Sequence, residues 1–309
     1  MIPGAEPFPP SRDARSEAEP LVVVAPVPAW LRRAVTKAQT LEDATFSLGA
    51  AINALDAVVR RNEPWAGAWR QRLALAAAAT AASRNGRTEN ASALRDCLLL
   101  TRPGDDVGPA GRLYLAWRRL AKRPAGQLPN HAELVAILDE MGHSPGDIAV
   151  NDIVTTLQRA ESGEGIFGTF ADALNIAGRG RRQLGLGAWL ADVLLARKLR
   201  WSHAVPLLGT YPVVAKDQLV TRARAMLLAI DLSAELGRRA ECLLAVAPKL
   251  RAKGADRVVE KLLNEDAMTA SDPTTGVNNR ALRRLFDRLV DLGAVRELTG
   301  RTTFRIYGL

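Results

Sequence analysis

The chain has 309 residues, of which 48% are hydrophobic and 24% are charged. That balance is ordinary for a globular protein and excludes a mainly disordered or fibrous chain. Aromatic residues make up only 5%, while alanine and leucine, both strong helix formers, dominate. The sequence therefore predicts an all-α fold. The helical tryptophans are predicted to fill gaps in an alanine-rich core: Trp65, Trp69, Trp117, Trp189 and Trp201.

The formal net charge is +9. Such an excess favours acidic partners, such as nucleic acid or an anionic membrane surface. An arginine-rich and alanine-rich background composition produces the same charge balance without any function. The charge alone therefore leaves both interpretations open.

The two cysteines and the N-terminal residues indicate the cellular compartment in which the protein is expected. Cys97 and Cys242 lie in apolar helical patterns, where each thiol is predicted to be a small buried hydrophobic group. Neither has metal-ligand spacing, so we expect no metal, no cofactor and a reducing cytoplasm.

Residues 1–28 combine prolines with charges, which predicts a disordered leader rather than a signal peptide. No apolar run approaches the roughly 20 residues that span a bilayer, so no membrane partner is expected.

Helical periodicity fills residues 29–250, which we predict to form one helical domain. The first group holds four helices: Thr40 to Arg61, about Gly67 to Arg84, about Glu89 to Leu100, and one through Leu113 and Leu120. The second group starts with a capping box of Asn130 and Glu133, and further helices are predicted over Asp147–Glu161, Phe167–Ile176 and Ala188–Leu199. Lys216–Leu236 and Arg238–Leu250 are predicted to be a helical pair joined at Gly237, because glycine often ends helices.

Enzyme chemistry needs clustered titratable groups, and few places in the chain offer them. Asp105 and Asp106 could supply a carboxylate pair for general acid–base chemistry, although adjacent carboxylates in a Pro/Gly-rich loop more often form turns. Gly178–Gly187 is predicted to be a basic loop, since no strand precedes its glycines as in dinucleotide-binding folds. The histidines are far apart and in no ligand spacing, which favours surface, capping or core roles: His131, His143 and His203.

Residues 251–309 are predicted to be a small C-terminal module. Asp256–Asn264 has the spacing of an amphipathic helix. A second helix starts near Asn279 and ends at Gly293, with its arginines away from the apolar side. Its apolar stripe consists of Leu282, Leu285, Phe286 and Leu289.

Two strand-like runs complete the module, Val295–Leu298 and Thr302–Tyr307, with a turn at Gly300. In the second run Phe304 and Ile306 alternate with polar residues, which predicts a β-hairpin with one buried face. Helix, glycine, strand, glycine turn and strand resemble the C-terminal half of a winged helix-turn-helix module. The predicted fold is therefore a multi-helix domain with a small winged-helix-like module that carries one β-hairpin.

The resemblance implies a way of binding duplex DNA. In such modules the N-terminal end of the recognition helix enters the major groove, and the wing contacts the phosphate backbone. From Val277 onward, seven arginines against three acids leave an excess of four positive charges. The candidate nucleic-acid-binding residues are Asn279, Arg280, Arg283, Arg284, Arg301 and Arg305.

Other observations keep a second hypothesis open. Arg283 with Asp287, and Arg288 with Asp291, have the spacing of ion pairs within one helix, so this face could be solvated and self-paired. The stretch between Asn264 and Asn279 has room for at most one helical turn. Winged helices also serve as protein-docking units.

The leading hypothesis is a nucleic-acid-associated or regulatory protein whose partner is duplex DNA. The alternative is a non-enzymatic helical scaffold or docking module whose partner is another protein. An enzyme that uses Asp105 and Asp106 is a third hypothesis, which requires a pocket holding both carboxylates and a basic partner such as Arg112. No oligomeric state is predicted.

Several segments of the chain together carry a family resemblance, and they include EDATFSLGAAINALDAVVR, PWAGAWRQRLALAAAATAA, RPGDDVGPAGRLYLAWRRLA and RALRRLFDRLVDLGAVRELTGRTTFRIYGL. With them the chain resembles a bacterial family, domain of unknown function 1403, over nearly its full length after the leader. The resemblance is weakest over residues 129–185 and strongest in the last 60 or so residues. It implies one integrated protein with a shared C-terminal module and adds no catalytic residue.

Overall fold

The computed structural model describes residues 27–102, 104–143, 150–162, 165, 184–210 and 218–309. Within those residues the fold is mainly α-helical, with a small antiparallel sheet near the C-terminal end, as the sequence predicts. None of the helices in this described part is long and apolar enough to cross a membrane. The leader over residues 1–26 and the helix predicted over Phe167–Ile176 lie outside the described residues.

The helices before the C-terminal module follow one another with short connections. The first five are α1 (Ala29–Lys37), α2 (Leu41–Arg61), α3 (Ala66–Arg84), α4 (Ala91–Leu99) and α5 (Gly108–Lys122). The next four are α6 (His131–Glu140), α7 (Val150–Ser162), α8 (Leu184–Lys198) and α9 (Gln218–Val246), and a 3-10 turn over Ala247–Lys249 extends α9.

Helix α3 is the centre of the packing, because it contacts α4, α5 and α9. Its buried side chains are mostly alanines, which allow neighbouring helices to approach closely. The five tryptophans predicted to lie in helices are all buried, although Trp65 precedes α3 and Trp201 follows α8. Trp69 Nε1 donates to the Ala229 carbonyl at 2.8 Å, and Trp189 Nε1 donates to the Ala116 carbonyl at 3.0 Å. These hydrogen bonds satisfy the polar end of each ring inside the core.

Two helices begin with capping boxes, and the sequence analysis predicts the one at α6. At α2 the Thr40 hydroxyl accepts from Asp43 N, and the Asp43 carboxylate accepts from Thr40 N. At α6, Asn130 and Glu133 form the same reciprocal pair at 2.9 Å in both directions. Each box satisfies two backbone donors that the first helical turn leaves unpaired.

The prediction that two helices meet at Gly237 is wrong. Helix α9 runs without interruption from Gln218 to Val246. A Cβ at Gly237 would lie 2.9 Å from Cζ2 of the buried Trp65 ring. Glycine is present because the indole packs directly against the helix backbone, and not because the helix ends.

Two predictions around α8 and the cysteines also need correction. The last residues of the predicted basic loop Gly178–Gly187 are already helical, since α8 begins at Leu184, and the loop's arginines lie outside the described residues. From Leu186 to Ala196 α8 is buried on every side. Cys242 is exposed and Cys97 only partly buried, so neither is a core thiol.

The C-terminal module contains two helices, a short 3-10 turn and three strands. In chain order these are α10 (Ala255–Asn264), β1 (Met268–Thr269), the 3-10 turn (Pro273–Thr275), α11 (Asn279–Asp291), β2 (Arg296–Glu297) and β3 (Ile306–Gly308). The single turn between the helices agrees with the room predicted there. The sheet order is β1-β3-β2, so the predicted hairpin is present as β2–β3, and β1 was not predicted.

The register is antiparallel throughout, with Met268 opposite Tyr307 and Arg296 opposite Gly308. The predicted strand over Thr302–Tyr307 is too long, because β3 begins only at Ile306. Phe304 is 72% exposed and has a φ of 55°, so the extended backbone and its alternation are lost there. Ile306 and Tyr307 are both buried, which means that both faces of β3 are covered.

Candidate functional site

The candidate site begins with the basic face of α11. The predicted apolar stripe is buried in the module, and Phe286 stacks on Tyr307 with ring centroids 4.2 Å apart. The Asn278 side chain accepts from Ala281 N at 2.8 Å and so begins the helix. Burial of the stripe leaves the opposite side in solvent, where Asn279, Arg280, Arg283, Arg284 and Arg288 are all exposed.

The arginines on this face are not neutralised by neighbouring acids. Within the described residues, neither Arg283 with Asp287 nor Arg288 with Asp291 forms an ion pair, and Arg280 and Arg284 also form none there. The spacing that could have made the face self-paired is therefore not used. The four guanidinium groups remain accessible to an anionic partner.

A groove borders this face where the chain leaves α9. Its volume is about 470 Å³, and Lys249 and Arg251 line it opposite Arg284 and Arg288. Apolar side chains form the remainder of its lining, mainly those of Val246, Leu250, Leu285 and Leu292. Lys249 and Arg251 were not predicted as site residues. The basic run from Lys249 to Lys253 carries a signal, but only the tertiary fold brings that run beside α11.

The loop between β2 and β3, which the sequence predicts to be a wing, is shaped by Glu297. The Glu297 carboxylate accepts from Thr299 N at 2.8 Å and from Gly300 N at 3.0 Å. Burial opposes ionisation of Glu297, but these hydrogen bonds outweigh it and lower the pKa of Glu297 below its ordinary value. Glu297 therefore acts as a turn-forming residue of this loop.

The two wing arginines point to different places. Arg301 pairs with Asp96 of α4 at 2.5 Å, and both side chains are partly exposed. Arg305 Nη1 lies 4.0 Å from Asp287 Oδ1 of α11, and its Nε donates to the Arg301 carbonyl at 3.2 Å. Of the six candidate residues, the structure brings four together on α11, places Arg305 beside that helix and directs Arg301 toward α4.

A buried ionic cluster attaches the module to the helical domain. Asp266, in the connection between α10 and β1, has a side chain that is only 4% exposed. Its carboxylate accepts from Arg72 Nε of α3 and from Arg95 Nε of α4, the latter at 2.5 Å. Burial alone would raise the pKa of Asp266, but the two guanidinium groups outweigh it and hold that pKa below its ordinary value.

Further contacts strengthen the same attachment. Glu265 pairs with Arg118 and Lys122 of α5, each at 2.5 Å. Arg72 also donates to the main-chain oxygen of Leu309 at 3.2 Å. The module is thus held on three helices, with the basic face of α11 away from the contact. The sequence provides no signal for this cluster, because its members are separated by more than 140 residues.

The carboxylates considered for catalysis do not meet in a pocket. Asp105 and Asp106 are both exposed. Asp106 accepts from Gly108 N at 3.0 Å, which is a turn-forming role, and lies 3.9 Å from Arg112. Neither aspartate lines the cavity of about 420 Å³ into which Arg112 faces. The geometry that the enzyme hypothesis requires is therefore not present at these residues.

Comparison with known proteins gives a family without a described activity. No curated protein and no solved structure matches the chain. A family model described as "Protein of unknown function (DUF1403)" matches residues 16–226 and 214–309. These two matches cover nearly the whole chain, in agreement with the family resemblance seen in its sequence segments. The chain therefore belongs to the DUF1403 family of proteins of unknown function.

Proposed function

We propose that this chain is a nucleic-acid-associated, regulatory protein that binds duplex DNA through the exposed face of α11. The observation that carries the proposal is the exposure of Arg280, Arg283 and Arg284, which form no ion pair within the described residues. The helical domain does not cover them, although it holds the opposite side of the module firmly. A cationic helix face of this kind is suited to the phosphates and base edges of a major groove.

The order of the elements supports a winged-helix interpretation of the module. Helix α10, strand β1, a helical turn, helix α11 and the hairpin β2–β3 follow in the order of that fold, with its second helix reduced to Pro273–Thr275. In this interpretation α11 is the recognition helix and the loop carrying Arg301 is the wing. Lys249 and Arg251, across the groove from Arg284, would add contacts to the phosphate backbone.

Charge predicts how such binding depends on salt. Each phosphate that the protein neutralises adds about −0.9 to the slope of log affinity against log salt concentration. Arg280, Arg283 and Arg284 should together account for a slope of roughly −3 at most. Binding is therefore expected to be much stronger at about 50 mM salt than at about 200 mM salt.

Fluorescence anisotropy with a labelled DNA duplex tests the proposal at these two salt concentrations. The variant Arg280→Ala/Arg283→Ala/Arg284→Ala should lower affinity and reduce the salt slope by about one for each lost phosphate contact. The matched control removes three exposed arginines from α1, α7 and α9, namely Arg33→Ala/Arg159→Ala/Arg224→Ala. The control lowers the net charge equally but should retain most of the affinity.

Two results would overturn the proposal. One is the absence of binding at the lower salt concentration. The other is an equal loss of affinity in both triple variants, because it would mean that only the overall charge attracts DNA. Thermal unfolding of each variant checks that the fold is intact.

A further inference from the structure

The groove beside α11 is lined by both basic and apolar side chains. Duplex DNA offers no surface that matches both kinds of lining. We call this groove the α11 groove: one wall is residues 246–252 and the other is α11 itself. Its four basic residues are Lys249, Arg251, Arg284 and Arg288, and no acidic side chain lines it among the described residues. Leu250, Leu285 and Leu292 form an apolar floor between them.

The dimensions of the groove favour a helical segment as its occupant. Along α11 and its C-cap residue the lining runs from Ala281 to Leu292. These eleven residue steps correspond to a rise of about 16 Å, which is the length of about three helical turns. The groove is open to solvent rather than enclosed, so a segment can enter it from the surface. Helices that bind in this way insert an apolar stripe and leave their polar face outside.

The chemistry of the lining indicates what that helix must carry. Leu292, which is part of the apolar floor, is 38% exposed. Covering such a surface is favourable only if the partner contributes apolar side chains. The surrounding arginines and lysine form no ion pair within the described residues, so they favour carboxylates on either side of the apolar stripe.

We propose that the α11 groove binds an acidic amphipathic helix from a partner protein. Leucine-like side chains of that helix would cover Leu250 and Leu292, and its carboxylates would pair with the basic residues at the edges. The inference goes beyond DNA binding and does not depend on it. Because Arg284, Lys249 and Arg251 belong to both surfaces, the helix and duplex DNA compete for the protein.

A synthetic, fluorescently labelled helical peptide tests the inference directly on the full chain. The probe has leucines at alternating third and fourth positions and glutamates between them. One control peptide has the same composition in scrambled order, and a second has lysines in place of the glutamates. The first peptide should bind at least about tenfold more tightly than either control, a ratio equal to about 1.4 kcal/mol.

Two protein variants separate the groove from the DNA-binding face. Leu292→Ser should weaken the peptide about fivefold and leave DNA binding nearly unchanged. Arg283→Glu, on the outward side of α11 and outside the groove lining, should weaken DNA and leave the peptide nearly unchanged. A third variant, Arg288→Glu, should weaken the peptide by repelling its carboxylates.

The outcomes distinguish this inference from the proposed function. If the peptide binds as described while the duplex does not, the groove is supported and the DNA proposal fails. Equal binding of the ordered and scrambled peptides would overturn the inference, since it would indicate attraction by charge alone. Failure of all three peptides to bind would overturn it as well, as would a Leu292→Ser variant that is correctly folded and binds the peptide normally.

Discussion

Asp266 accepts a hydrogen bond from Arg95 at 2.5 Å inside the protein, and this pair joins the C-terminal module to α4. Arg72 of α3 holds the same carboxylate from another direction. A fully buried charge is stable only where interactions with its partners offset the loss of hydration. The cluster therefore determines the orientation of the module and leaves the basic face of α11 in solvent.

Removal of the Asp266 carboxylate should destabilise the protein strongly. Asp266→Ala leaves the guanidinium groups of Arg72 and Arg95 buried without their anion, so we expect a loss of about 3–5 kcal/mol in the free energy of unfolding. Chemical denaturation measures this value. The control is Asp231→Ala, which breaks the exposed pair with Arg32 and should cost less than about 1 kcal/mol. Similar losses in both variants would show that the buried cluster contributes no more than a surface ion pair.

The same carboxylate should make stability sensitive to acid. Its pKa is lower in the folded protein than in the unfolded chain, so the folded state binds fewer protons. The stabilisation is complete above about pH 5 and is lost as the pH falls through about 3.9 toward the lowered pKa of Asp266. Denaturation at several pH values should show the advantage of the natural chain over Asp266→Asn shrinking as the pH falls. A constant difference over that range would contradict the assignment.

Asp192 should respond to pH in the opposite direction. It is fully buried in α8 and accepts from Leu207 N at 2.9 Å and from Leu208 N at 3.1 Å. Burial raises the pKa of Asp192 well above its ordinary value, although these hydrogen bonds and nearby Arg222 act against the shift. The stabilisation is therefore present below about pH 3.9 and is lost as the pH rises through the raised pKa of the folded state.

Substitution of Asp192 tests its structural role. Asp192→Leu leaves two buried N–H groups without an acceptor and should cost about 1–3 kcal/mol for each of them. Asp192→Asn keeps the size and one oxygen acceptor, so it should cost less. It should also remove the loss of stability at rising pH that the carboxylate causes. Denaturation of both variants gives the comparison, and equal losses would argue against the hydrogen bonds to Leu207 and Leu208.

Gly237 and Gly49 offer a matched pair of helical glycines. Gly237→Ala should destabilise the protein by about 1–3 kcal/mol, because its Cβ would lie 2.9 Å from the Trp65 ring. Gly49→Ala in α2 has no heavy atom within 4 Å and should stabilise the protein by about 0.5–1 kcal/mol through helix propensity. Thermal unfolding compares the two. A stabilised Gly237→Ala variant would mean that the ring moves aside without cost.

Local chemistry by itself determined most of the helical content. Thr40 with Asp43, and Asn130 with Glu133, start helices through hydrogen bonds within four residues of sequence, so their positions can be predicted. The apolar stripe of α11 follows from helical spacing in the same way. The basic face opposite that stripe was therefore predictable, together with four of the six candidate residues that lie on it.

The tertiary structure alone decided features that depend on distant contacts. The sequence predicts a helix end at Gly237, and only the packing of the Trp65 ring explains why this glycine lies inside α9. Strand β1 pairs with a strand nearly forty residues later. The groove beside α11 and the ionic cluster of Asp266 each join segments that are far apart in the chain. Sequence periodicity indicates which face of one helix or strand is buried and which is exposed. The partners against which that face packs depend on the shape and charge of surfaces that form only when the chain folds.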